Sequence, residues 1–165
     1  IDAVASASLT ATRLPMVAVE ASVTVVVSFR DHFVPAGRTT SVEAYDEWVA
    51  RDARGLRTNG SLALGVARRC CRLLGPSRLD VELDACRERL DHAAMAERDA
   101  LAHARADASL LAARTAAALV VAAGSRSVLR DGHPQRLARE ATFLLVFASR
   151  PPIRAALRQR LEGSD

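Results

Sequence analysis

From Thr40 onward the apolar residues of this chain recur at helical spacing, and Gly and Pro supply the breaks. Gly75-Pro76, Gly124-Ser125, Gly132-His133-Pro134 and Pro151-Pro152 are the main punctuation. Glycine offers the left-handed residue that closes a helix, and proline suits the first turn of the next one. The stretches between these marks therefore read as helices joined by short turns. Amphipathic helices so connected bury their apolar stripes by packing antiparallel. Aromatic residues are only 4% of a chain that is 50% hydrophobic. The core must then be built from Ala, Leu and Val, which allows close helix approach.

Thr40-Ser-Val-Glu43 has the form of a capping box ahead of a run containing Tyr45 and Trp48. Asn59-Gly60 is expected to interrupt or bend that run. Leu62, Val66, Cys70 and Leu73 then form one buried stripe, with Arg68, Arg69 and Arg72 away from it. The next helix covers 79–92, with Leu79, Leu83, Cys86 and Leu90 on one face. Another spans 97–123, and its second half, Thr115 to Ala123, is apolar all round, which predicts a central, fully buried position. Helices over 135–149 and 152–162 follow, the last burying Ile153, Leu157 and Leu161.

Ahead of the helices, residues 16–35 alternate in the manner of strands. Val17, Val19, Val23, Val25, Val27 and Phe29 lie at alternating positions, and Val34-Pro35-Ala36-Gly37 ends the run as a turn. The expected fold class is mainly α: an antiparallel helical bundle, residues 40–165, preceded by a short β segment within residues 1–39.

Composition excludes several functions. The chain has 165 residues, enough for one domain with a sizeable core. All 23 basic residues are Arg, so a lysine Schiff base or a P-loop lysine is ruled out. The net charge is +4, but Arg is spread along the chain among Asp and Glu, without stacking aromatics, which argues against nucleic acid as a partner. Cys70, Cys71 and Cys86 lack metal-ligand spacing, as do the scattered histidines, so no metal site is expected and the cysteines read as buried small hydrophobes in a reducing compartment. No apolar run is taken to reach a membrane span and no secretory leader is evident, which suggests a cytoplasmic protein. The chain opens on Ile1 in sequence that reads as mid-domain, as a piece of a longer protein would.

Three segments, in this order, resemble a known family. Val27–Ala36 reads as a strand end running into Val-Pro. Gly60–Arg68 reads Gly-Ser-Leu-Ala-Leu-Gly-Val-Ala-Arg. Ala122–Glu140 carries a Gly-Ser turn, then His133-Pro-Gln-Arg-Leu-Ala-Arg-Glu140. Together, over roughly residues 16–162, they resemble the end of the middle β-domain and most of the C-terminal helical domain of the acyl-CoA dehydrogenase family. Residues 1–39 would then be the remnant of that β-domain with its linker.

The resemblance implies an FAD-dependent oxidoreductase acting on acyl-CoA CH–CH bonds, working as a homo-oligomer or beside a paired flavoprotein subunit. It places Gly124 and Ser125 against the cofactor, where a missing Cβ lets backbone N–H groups approach a pyrophosphate. A plain helix C-cap at Gly124 fits the same residues. Arg139-Glu140 reads as an ion pair holding the turn, and His133 as structural or exposed. No catalytic residue is assigned, because Ala148 stands where the family's glutamate belongs and alanine cannot accept a proton. The same gap fits the flavin-monooxygenase branch of the fold, or a non-catalytic helical oligomerisation module.

Overall fold

In a computed structural model the chain is mainly helical, with a two-stranded antiparallel sheet near its start. The structure describes residues 6–95 and 98–163, and their side chains except at 49–54 and 98. It divides into two units between Trp48 and Val49.

In the first unit, β1 (Leu9–Arg13) pairs with β2 (Val25–Phe29), Ala11 standing opposite Val27. The expected strand region narrows to its second half. Val17, Val19 and Val23 lie in the connection, and Val19 and Val23 adopt left-handed backbone (φ 51° and 49°) around a single 3-10 turn, Glu20–Ser22. Period-2 alternation was thus partly accidental there, and the true partner, Leu9–Arg13, alternates too weakly to stand out. Leu9 is buried, while Val25, Val26, Val27 and Phe29 are each more than a third exposed.

The helices are α1 (Tyr45–Leu74), α2 (Arg78–Ala93), α3 (Arg98–Ala123), α4 (His133–Val146) and α5 (Pro151–Glu162). Two start signals read differently in three dimensions. Thr40–Glu43 lies in irregular chain ahead of α1, which begins at Tyr45. A working capping box sits at α2, where Ser77 Oγ accepts from Leu79 N and Ser77 N donates to Asp80 Oδ2 at 2.8 Å. Gly75 ends α1 as expected, with φ 86° and its N–H on Cys71 O at 3.0 Å.

Asn59-Gly60 does not break α1, which runs 30 residues without interruption. Gly60 is instead a point of close approach. A Cβ built there would stand 2.6 Å from a methyl of Leu90 on α2. The buried stripe of α1 also differs from the expected one. It is Leu56, Gly60, Ala63, Leu64, Ala67, Cys70 and Cys71, whereas Leu62 is 51% exposed and Leu73 is 39% exposed. Gly60, Ala63 and Ala67 allow close approach along the seam, which Leu56 and Leu64 share, while Leu62 and Leu73 stay on its flank.

α3 is the central helix, packed by α2, α4 and α5. Its buried residues, from Leu101 to Leu119, join Leu83, Cys86 and Leu90 of α2, Leu137, Ala141 and Leu144 of α4, and Ile153, Ala156 and Leu157 of α5. Leu161 of α5, expected inside, is exposed.

Candidate functional site

The segment from Ala123 to Pro134 holds the residues the sequence singles out. α3 ends as Gly124 turns left-handed (φ 60°) into a 3-10 turn, Gly124–Val128. Nothing lies within 4 Å of where a Cβ on Gly124 would be, so the backbone angle, not crowding, calls for glycine. Gly132 then caps α4, His133 is its first residue and Pro134 its second. Beside this turn is an open cleft of about 610 Å³ lined by Ala123, Arg126, Leu129, Arg130, Asp131, Gly132 and Pro134. Gly124 and Ser125 are exposed next to it and are not among its lining residues.

The rest of the expected constellation is dispersed. His133 is exposed. Glu140 pairs with Arg136 one helical turn back, at 3.3 Å, and not with Arg139; the i,i+4 geometry brings those two side chains together, while adjacent residues diverge. Ala148 is not on a helix. α4 ends at Val146, and Ala148 sits in the following turn with φ 48°, exposed.

A different residue is the chemical centre of the bundle. Arg105 of α3 is 1% exposed. Its guanidinium donates to Ser109 Oγ, to Leu144 O at 3.2 Å and to Phe147 O at 3.4 Å. Ser109 Oγ also donates to Leu144 O at 3.0 Å. These carbonyls belong to the C-terminal end of α4, where the helix has no N–H donors left and its dipole favours a cation. Arg105 therefore caps α4 from inside the core. Its Nε has no hydrogen-bond partner, and burial pushes its pKa down to about 10. Sequence reading passed over it, although an Arg surrounded by Leu101, Ala102, Ala106, Ala108 and Ala112 was the available signal.

α3 also shows an apolar stripe that is half-buried at Leu110 and Ala113 and exposed at Ala117 and Val121. Contrary to the expectation of full burial beyond Thr115, Ala117 and Ala122 are exposed and Val121 is 80% exposed. Leu110, Ala113, Ala117 and Val121 share one face, by their spacing of three, four and four. The lower part of this stripe opens into a groove of about 700 Å³ between α2, α3 and α5, lined by Leu110, Leu111 and Ala113 and by the ion pairs Glu82–Arg114 and Asp107–Arg160. The stretch Asp99–Val128 is long and apolar enough to cross a membrane by length and composition, which revises the sequence expectation, and only 39% of its most apolar window is buried.

The three thiols are buried and free, as expected. Desolvation raises all three pKa values, that of Cys70 to about 11, so none is a ready thiolate nucleophile. Among the described residues no three His, Cys, Asp or Glu side chains gather in a metal-binding group. No protein-family model matches this chain, and neither a curated protein nor a solved structure matches it.

Proposed function

We propose that the helical unit is an association module, and that its partner is a second copy of the chain held through the partly exposed stripe of α3. The supporting observation is that stripe itself. Leu110, Ala113, Ala117 and Val121 follow the spacing by which one helix meets another, and the two alanines permit close axial approach. A Val that is 80% exposed within such a row gains by burial against an apolar partner. The acidic and basic residues beside the stripe are already paired with one another, so a partner helix meets a nearly neutral border.

Sedimentation equilibrium over a wide concentration range tests this. The native chain is expected to dimerise, and Ala117→Arg and Val121→Glu each to run as monomers with unchanged helical circular dichroism. A native chain that stays monomeric at the highest soluble concentration ends the reading.

A second reading keeps the likeness to the acyl-CoA dehydrogenase-like flavoproteins, of which this chain would be the C-terminal part. What favours it is the cleft at the α3–α4 turn. There Arg126 and Arg130 stand near a left-handed Gly124 whose side is open, a setting suited to the pyrophosphate of FAD. With Ala148 in an exposed turn, this reading fits the monooxygenase branch better than α,β-dehydrogenation of an acyl-CoA. The flavin absorption spectrum of the chain equilibrated with FAD decides it: a shifted, saturable spectrum lost in Arg126→Ala/Arg130→Ala supports the reading, and no spectral change defeats it.

A further inference from the structure

α1 carries three glycines in its interior, Gly55, Gly60 and Gly65, and close packing accounts for Gly60 but not for Gly65. Gly60 is required by the approach of Leu90. A Cβ on Gly65 would meet nothing within 4 Å. Glycine weakens a helix relative to alanine, so this position carries a cost that no close contact explains. Gly65 lines an open cleft of about 220 Å³ on the seam between α1 and α2.

The charges around that cleft are unequal. Arg57 and Asp91 hold one another across the seam at 2.5 Å, and Arg57 also donates to Ser61 Oγ at 2.8 Å, so this corner is neutral and fixed. Arg68 has no ion pair among the described residues. Arg87 reaches only Asp84 of its own helix, at 3.7 Å, a weak exposed pair. The same two arginines also line an adjoining cleft, together with Arg72, Asp80 and Asp84. Beyond the neutral Arg57–Asp91 pair, the Gly65 cleft is lined by Arg68 and Arg87 and by no further acid, over an apolar floor of Leu64 and Leu90.

We infer that the Gly65 cleft binds a phosphate-type oxyanion between Arg68 and Arg87. Guanidinium groups present forked donors that match two oxygens of such an anion, and the open side at Gly65 lets it sit down between them. The site lies on α1 and α2 and does not depend on the α3 association reading.

The test is titration of the full chain with inorganic phosphate and with glycerol phosphate, at constant ionic strength. Saturable one-site binding at millimolar concentration or below is expected for at least one of them. Equal affinities identify free phosphate as the ligand, and tighter ester binding identifies a phosphorylated molecule. Arg68→Ala and Arg87→Ala are each expected to weaken binding by roughly tenfold or more. Gly65→Leu is expected to raise the melting temperature, by restoring helix propensity, while weakening binding to a similar degree. That opposite movement of stability and affinity keeps the test clear of unfolding. Absence of saturable binding by either compound overturns the inference, as does native affinity in Gly65→Leu or in the Arg68→Ala/Arg87→Ala double variant.

Discussion

Arg105 carries its guanidinium to the end of α4, where two carbonyls and Ser109 receive it. A charge at 1% exposure is costly unless it is hydrogen-bonded, and here Ser109 and helix carbonyls take the two terminal NH2 groups in place of a carboxylate, while Nε is left over. Truncation would remove the donors, leave the Leu144 carbonyl with Ser109 alone and open a cavity. Arg105→Ala is expected to cost about 3 kcal/mol or more, read from urea denaturation as a lowered midpoint with little change in slope. Arg105→Lys recovers only part of this, because an ammonium on a shorter reach cannot fork to the same acceptors. The surroundings of Arg105 were legible, since its neighbours at helical spacing are Leu and Ala. Its role was not, because Leu144 lies 39 residues away. The same limit applies at Ala148, whose position follows from where α4 ends.

At the scale of elements, local signals succeeded where they act locally. Gly75 stops α1, Pro151 and Pro152 open α5, and α2 buries the face carrying Leu83, Cys86 and Leu90. They failed where a neighbour decides. Gly60 reads as a breaker in isolation, yet it is the contact that lets α2 lie close to α1. Gly60→Val is therefore expected to destabilise by roughly 1–3 kcal/mol through overpacking against Leu90. Combining it with Leu90→Ala should cost less than the sum of the two single changes, a coupling that a double-mutant cycle of unfolding free energies measures. Alternation misled in the β segment for a related reason. Val19 and Val23 have the residue type of strands but stand in left-handed backbone that strongly disfavours β-branched side chains.

For the whole molecule, the sequence established a mainly helical chain with a short β segment before it, and the tertiary structure redistributed burial within that plan. The apolar second half of α3 looked like the centre of a bundle. In the structure its first half is the centre, and the second half keeps an open face at Val121. If that face is the dimer contact, the native chain's melting temperature rises with protein concentration, and that of Val121→Glu does not. The apolar content, the stop at Gly75 and the start at Pro151 were determined by the sequence alone, because glycine and proline geometry and periodicity are fixed by residues within a turn or two of each other. The choice of buried face, the use of Arg105 as an internal cap and the arginine-lined opening at Gly65 were decided only by tertiary structure. Burial and charge compensation depend on which distant helix arrives beside a residue, and no local pattern carries that information.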